Sequence, residues 1–500
     1  MWNRKVLCKN LSACPASRQA FPFIRLFLDR LLLSRAALRF TEPLYCKKSQ
    51  QNNNTSARKK VKCLLTKTII SLYPRTEMPL KKILNFVTDY KSFVFEKIVF
   101  HDTPDSARID VTIVPRKGSR GVCPKCHRKC STYDTDKEPR RFEFIAIYGI
   151  AVYFLYNMRR VTCPDHKVIT EKVPWSDGKS NMTIELMQFL ANWARRLSYT
   201  EVASVFGTTW GKVYRSVEWI VEWGLKHRSL EGITSIGVDE ICYKAGHKFL
   251  TLVYQIDATC CRLLHVSVGR SEKSLARFFV MLNQGTLGKA KRSFQIKFVC
   301  SDMWKPYLNV IAKWCKNALN ILDRFHIKSH LTKAVDETRK LDVAKLREEK
   351  KEAVLTKSKY IFLKNPENLT QKQTVKLNEL LGCNLRVIRA YLMKEDFERF
   401  WEYKSGFWAN RFLHDWCVRA MRSKIEPMKK FVGTIRRHRE LLLNWFKSKG
   451  LSSGIVEGFN NKVKLTMRKS YGFRTEKTLE TSLYHALGKL PEPEFTHRFW

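Results

Sequence analysis

Acidic residues are the scarce component of this chain: 46 Asp+Glu stand against 92 Lys+Arg in 500 residues, a formal charge of +46. That imbalance does not suit an ordinary small-metabolite enzyme and points to a polyanionic partner. Long apolar runs are also missing. The best uncharged stretch, Phe144 to Asn157, falls short of the roughly 20 residues a spanning helix needs, so no transmembrane helix is expected. The 15 cysteines are scattered, with one tight cluster. This excludes a disulfide framework and suits reduced thiols in an intracellular protein. Core-forming material is plentiful, at 44% hydrophobic and 12% aromatic residues, which argues against wholesale disorder. The length suggests about three domains.

Residues 1–77 read unlike the rest, with 16 Lys+Arg, three acids (Asp29, Glu42, Glu77) and four cysteines. No sustained period appears beyond Phe21 to Leu33. Gln50 to Ser56 is a polar, low-complexity patch, followed by Arg58-Lys59-Lys60. Three readings stay open: an atypical extension ahead of a start at Met78, an organelle transit peptide, or a basic nucleic-acid arm. Setting the segment aside leaves +33 on 423 residues. The basic excess survives.

Ile109, Val111 and Ile113 alternate with polar residues and predict a strand. Cys123-Pro-Lys-Cys126 follows, a spacing at which two thiolates can share one tetrahedral Zn²⁺. Cys163-Pro-Asp-His166 offers the second pair. Phe142 to Met158 predicts a hairpin turning at Gly149, which would bring the two knuckles together. Cys130 and His127 are rival ligands that spacing does not exclude, and a pair of structural thiols is the plainer alternative. Arg140, Arg141, Arg159 and Arg160 flank the hairpin, as phosphate contacts or as solvated charge.

Met182 to Arg196 has helical periodicity. From Ser198 to Arg215 the chain reads as helix, Gly207 turn, helix. Val202, Ala203 and Phe206 would face Val213 and Val217, in helix-turn-helix fashion. The second helix would offer Thr209, Lys212 and Arg215 to a major groove. An ordinary helical hairpin fits the same pattern.

From Ile233 the text becomes α/β. Strands are expected at Ile233 to Val238, Phe249 to Ile256, Leu263 to Val268, Ile296 to Cys300 and Ala318 to Leu322. Helices are expected at Ser271 to Asn283 and Pro306 to Cys315. The order βββαβαβ is that of a ribonuclease-H-like domain, in which the first and fourth strands are neighbours. Asp239 and Asp302 would then converge from strand ends. Converging carboxylates in a lysine-rich chain suggest Mg²⁺ or Mn²⁺ and phosphoryl transfer. A third carboxylate stands in Ser452-Ser-Gly-Ile-Val-Glu457-Gly-Phe-Asn-Asn-Lys-Val-Lys. On a helix from about Gly454, Glu457, Asn461, Lys464 and Arg468 would share one face. Val456, Phe459, Val463 and Met467 would form an adjacent apolar stripe. A capped amphipathic helix with Glu457 in solvent is the alternative. Residues 333–448 read as helical and charged, an insertion into the catalytic domain. Its Arg436-Arg-His-Arg439 run and Trp401, Trp408 and Trp416 are further DNA-contact candidates, with solvated charge and core packing as alternatives.

Gly237-Val-Asp-Glu240, Ser301-Asp-Met-Trp304, Asp323-Arg-Phe-His326 and Val456-Glu-Gly-Phe-Asn-Asn-Lys462, closed by Tyr471-Gly-Phe, resemble the ISL3-type insertion-sequence transposases, a DDE group. The resemblance spans about Glu96 to His485 and leaves 1–77 unmatched. It implies that Asp239, Asp302 and Glu457 form the catalytic, metal-holding triad, with Asp323 and His326 in an auxiliary place of unfixed role. Its usual second cysteine pair is replaced here by Cys163-x-x-His166, so His166 departs from the family pattern as a Zn²⁺ ligand.

These readings make a multidomain α+β protein. A zinc-binding N-terminal domain covers 78–175 and a helix-turn-helix 176–230. The catalytic domain covers 231–332 and 449–490, interrupted by the helical insertion. The expected function is DNA transposition: double-stranded element ends and target as partners, terminal inverted repeats bound, strands cut and joined with a divalent ion. A homodimer or larger synaptic assembly, acting at the nucleoid of a bacterial cytoplasm and away from membranes, is expected. The rivals are a nuclease of the same fold without strand transfer, and a domesticated DNA-binding protein.

Overall fold

The structure is a computed structural model that describes residues 80–494 except 89, 104–105, 286–290 and 449–453. The expectations for 1–77 lie outside the described residues. Helix α1 (Leu80–Val87) precedes strands β1 (Phe93–Thr103), β2 (Ser106–Pro115), β3 (Gly121–Val122), β4 (Lys129–Thr135), β5 (Arg140–Ile147), β6 (Ile150–Tyr156), β7 (Arg159–Cys163) and β8 (Lys167–Thr170). These build two four-stranded sheets, β1-β2-β6-β5 and β3-β4-β7-β8. Ile109, Val111 and Ile113 point into the first sheet's core beside the fully buried Trp175. The expected hairpin is β5–β6, closed by Tyr148 and Gly149, both at positive φ (52° and 83°). Two left-handed residues match the twist of a two-residue hairpin loop, and glycine takes the second without cost. That hairpin belongs to the first sheet. The two knuckles are joined by the β4–β7 pairing in the second, where Ser131 faces Thr162.

Three helices follow: α2 (Ile184–Ala194), α3 (Tyr199–Val205) and α4 (Trp210–His227). Each start is capped. Thr183 accepts from the N–H of Leu186, Ser198 and Glu201 form a reciprocal capping box, and Thr209 accepts from the N–H of Lys212, satisfying orphan donors of the first turn. Gly207 makes the turn between α3 and α4 at φ 59°.

The third sheet has strands β9 (Ser235–Lys244), β10 (Lys248–Asp257), β11 (Cys260–Val268), β12 (Phe298–Ser301) and β13 (Leu319–Leu322), in the order β11-β10-β9-β12-β13. The first three are antiparallel, and β12 and β13 run parallel to β9. The first and fourth strands of this run are therefore neighbours. Strand β9 does not stop at Asp239 but pairs with β10 as far as Lys244. Helices α5 (Glu272–Leu282) and α6 (Lys305–Trp314) cover one face through Leu275, Phe278, Phe279 and Tyr307. The other face meets α14 (Gly454–Lys469) and α15 (Glu476–Leu487), and shares one continuous core with α2–α4. Between β13 and α14 run α7 (Arg324–Glu348), α8 (Lys359–Leu363), α9 (Gln371–Leu381), α10 (Arg386–Glu398), α11 (Gly406–Arg422), α12 (Glu426–Arg437) and α13 (Arg439–Lys447). Helicity thus begins directly after Asp323, before the expected 333. Trp401 and Trp416 are buried in the core of this insertion, whereas Trp408 is exposed. Among the described residues no helix is long and apolar enough to cross a membrane.

Candidate functional site

Parallel register carries three aspartates to one edge of the third sheet. Gly237 pairs with Cys300, and Cys300 with Ile321. Two residues onward along each strand come Asp239, Asp302 and Asp323. Alternation puts residues two apart on the same face, so the three carboxylates issue from neighbouring positions. Asp239 and Asp323 are buried. His326, on the first turn of α7, lies 3.6 Å from Asp239 Oδ1 and 3.7 Å from Asp323 Oδ2 through Nε2. Ligand atoms of Asp239, Asp323 and His326 all lie within 4.8 Å of one another. The two residues whose role the sequence left open are thus part of the tightest group in the site.

Helix α14 closes the site from the side. A Cβ at Gly237 would lie 2.4 Å from Val456 Cγ2, so glycine is what lets this helix rest on β9 beside Asp239. Phe459 stacks on Tyr254 with centroids 4.8 Å apart. Asn460 is buried. Its side-chain amide donates to Asp239 Oδ2 and its oxygen accepts from the Tyr254 hydroxyl at 2.9 Å. The backbone N–H of Glu240 donates to Asp239 Oδ1 at 2.7 Å. Asp239 is therefore held at both oxygens. Asn460 was missed in the sequence although a signal existed: it lies four residues after Val456 and three before Val463, inside the apolar stripe. A polar residue there needs a buried partner.

Glu457 is exposed on α14, three residues before Asn460, outside the Asp239–Asp323–His326 group. Asn461, Lys464 and Arg468 are exposed too, and Val456, Phe459 and Val463 are buried. The polar and apolar faces of the helix fall where the periodicity set them, with Glu457 on the exposed face. Glu240 faces Arg270 at 3.4 Å, and Asp257 accepts from the Thr234 hydroxyl at 2.6 Å; each has a structural partner.

Crowding of negative charge marks the site electrostatically. The Asp302 carboxyl is raised to about 6, first by burial; Glu240 and Asp239 add, while the Trp304 N–H and His326 oppose. His326 is raised to about 9, first by its contact with Asp239; burial opposes, and the Asp239, Asp323 and Asp302 charges add. At neutral pH the imidazolium therefore sits among aspartates as their local counter-charge.

A second constellation lies in the β3-β4-β7-β8 sheet. Ligand atoms of Cys123, Cys126, Cys163 and His166 all lie within 4.8 Å of one another. Cys126 Sγ is 3.5 Å from Cys163 Sγ, and His166 Nδ1 is 3.6 Å from Cys123 Sγ and 3.5 Å from Cys163 Sγ. A disulfide needs about 2.05 Å, whereas bonds of about 2.3 Å to one tetrahedral ion put sulfurs about 3.8 Å apart. The spacing fits a shared ion. Cys130 is buried beside the group with its thiol on the Arg128 carbonyl, and His127 is exposed, neither joining the four.

Several of the basic residues singled out in the sequence have partners within the chain, and one of them, Arg159, is out of reach of DNA. Arg159 is buried and pairs with the fully buried Glu171 through both Nε and Nη2. Arg160 pairs with Asp134, Arg140 bonds the Asn181 side chain and the Ser180 carbonyl, and Arg141 lies over Tyr153. This quartet ties the module together, and Arg159 is closed to phosphate. Lys212, expected in a groove, is ion-paired with Glu143 at 2.6 Å, and the Thr209 hydroxyl caps its own helix. Arg215 is exposed. Periodicity identified the helix but carried no information about Glu143, 69 residues away.

A profile of transposases, the DDE ISL3 type, matches residues 236–483. The chain is 28% identical over 416 residues to the transposase for insertion sequence element IS1557 of Mycobacterium tuberculosis, covering 78% of this chain and 91% of that protein. It is 24% identical over 400 residues to the transposase for insertion sequence element IS1001 of Bordetella parapertussis, covering 79% and 96%. The matched span opens in β9 and closes in α15, enclosing Asp239, Asp302, Asp323, His326, Glu457 and the helical insertion. The chain belongs to the ISL3-type family of DDE transposases.

Proposed function

We propose that this DDE transposase binds the terminal inverted repeats of an insertion sequence and performs strand cleavage and transfer at the edge of a ribonuclease-H-like sheet. The observation that carries the proposal is the convergence of Asp239, Asp302 and Asp323 on adjacent parallel strands, beneath the helix that bears Glu457. Asp239, Asp302 and Glu457 are the proposed holders of Mg²⁺ or Mn²⁺. Their oxygens suit a hard cation, and a cation would offset what raises Asp302, its burial first and then the charges of Glu240 and Asp239. When bound, such ions polarise water and offset charge on the scissile phosphate. Asn460 and the Glu240 N–H fix the orientation of Asp239. His326 balances the aspartates. Asn461, Lys464 and Arg468, exposed along α14, are proposed to hold the DNA backbone near the site.

Cys123, Cys126, Cys163 and His166 are proposed to hold one structural Zn²⁺. The α3–α4 pair is the proposed helix-turn-helix, with Arg215 as its available basic contact and Thr209 and Lys212 supporting it. In the proposed division of labour, 78–175 and 176–230 recognise the ends, 231–332 and 449–490 do the chemistry, and 333–448 is the insertion. Paired processing of two ends makes a homodimer or larger assembly the working form, at the DNA of a bacterial cytoplasm.

The test is joining of a pre-cut 3′-hydroxyl element end to plasmid with Mg²⁺. Wild type should join. Asp239→Asn or Glu457→Gln should abolish cleavage and joining while specific end binding stays. Cleavage near wild type in either variant overturns the site; cutting without joining would make the protein a nuclease.

A further inference from the structure

The Tyr471-Gly472-Phe473-Arg474 loop, which follows α14, takes no part in the site above. Tyr471 is 98% exposed and held at φ 51°, next to Gly472 at 98°. Hydrogen bonds from the Tyr471 N–H to the Arg468 carbonyl (3.0 Å) and from the Gly472 N–H to the Met467 carbonyl (3.2 Å) fix this left-handed end. A single exposed aromatic is ordinary on a protein surface. This one stands between two cavities, and the loop lines both. One, of about 730 Å³, is also lined by Tyr199 and Trp210 of the α3–α4 pair. The other, of about 790 Å³, is lined by Lys244, Lys248 and Arg474. Both volumes fall in the roughly 300–1,000 Å³ range of ligand clefts. The carboxylates on their walls are engaged: Glu201 in the α3 capping box, Glu476 by the Tyr243 hydroxyl. Trp210 is half exposed and stacked on Tyr214, so a flat aromatic surface faces the first cavity.

Aromatic walls beside free cations suit one ligand chemistry, a planar base attached to phosphates. Duplex DNA keeps its bases inside the stack; only an unpaired nucleotide can offer a face to Tyr471. The exposed residues Glu457, Asn461, Lys464 and Arg468 form a track along α14 toward this loop. At about 1.5 Å rise per residue, it spans about 20 Å from Glu457 to Tyr471.

We propose that the Tyr471–Arg474 loop is a single-strand subsite: it receives an unpaired DNA base between Tyr471 and Trp210, and Lys244, Lys248 and Arg474 hold the flanking phosphates. The proposal rests on the transposase reading and adds a station a few nucleotides from the reacting phosphate. Its test uses the full chain and a mixed-sequence 12-nucleotide single strand carrying a central 2-aminopurine, beside the same sequence as duplex. Binding of the single strand should quench the 2-aminopurine. Tyr471→Ala should lose the quench and bind the single strand about tenfold or more weakly, as loss of one base stack implies, with duplex binding unchanged. Tyr471→Phe should behave as wild type. The side chain is wholly exposed, so folding is not at stake; Arg474→Gln should weaken single-strand binding and flatten its salt dependence. Equal behaviour of Tyr471→Ala and wild type overturns the subsite. Duplex binding and plasmid joining without any single-strand quench overturn the subsite alone. Failure to bind either form of DNA overturns it together with the function it rests on.

Discussion

A methyl group added at position 237 would sit 2.4 Å from Val456 Cγ2, a distance that no packed pair of carbons holds. Gly237→Ala must therefore push α14 from β9, and with it Asn460 from Asp239. Overpacking of this kind costs roughly 1–3 kcal/mol, so the variant should unfold at lower temperature and lose strand joining more than end binding. The double variant Gly237→Ala/Val456→Ala should recover much of both, measured by thermal denaturation and joining; no recovery would sever the packing argument. Asp302 supplies a pH dependence. Its carboxyl, raised to about 6, is neutral below that pH and charged above. Metal uptake must displace that proton, so Mn²⁺ affinity read by electron paramagnetic resonance should fall about tenfold per pH unit below 6. An affinity flat from pH 7 to 5 would remove Asp302 from the ligand set.

At the scale of elements, the catalytic sheet was readable because each strand has its own apolar run and its helices carry start signals, a capping Ser271 on α5, Thr475 on α15 and Pro306 in the first turn of α6. Ser271, for example, was expected to open the helix it caps. The neighbouring strand positions of Asp239 and Asp302 followed from strand order alone. What sequence could not supply were partners across the chain. Arg159 looks like any surface arginine until Glu171 is found beneath it, and nothing in the sequence pairs Lys212 with Glu143. His326 was visible only as a motif, since Asp239 stands on β9, far away in sequence, and only Asp323, the cap of the same helix, is close by. The cysteine–histidine module was readable in its residues but not in its wiring, because the pairing that joins the knuckles is β4–β7 rather than the hairpin between them. That module carries a prediction of its own. Purified protein should contain one zinc per chain by elemental analysis. Cys163→Ser should lose it, and Cys130→Ser should keep it because Cys130 stands outside the four-ligand group. Equal zinc content in both variants would discard the ligand assignment.

For the molecule as a whole, the decisive fact is that α2–α4 and the catalytic sheet do not have separate cores. Leu190, Val202 and Val217 belong to the same buried cluster as Leu252, Val456 and Leu483. The Tyr199 hydroxyl and Ser482 are 2.7 Å apart, and Lys477 pairs with Glu218. Helices α2–α4 and the catalytic sheet are thus geometrically fixed to each other through α15, so these parts should unfold together. His485 lies at the centre of this arrangement. It is buried in α15, with its Nε2 unpartnered, and its pKa is lowered to about 3, first by burial, with Arg195 and Lys469 adding. The folded value lies below the ordinary 6.5, so the unfolded chain takes up the proton first. Stability from this residue is complete above pH 6.5 and drains as pH falls toward 3, by about 1.4 kcal/mol per unit. Urea unfolding at pH 7 and pH 5 should show that loss in wild type, and His485→Leu should show much less of it. Tryptophan fluorescence and far-ultraviolet circular dichroism should trace one transition over 180–490. Two separated transitions would mean that the shared core does not couple helices α2–α4 to the catalytic sheet.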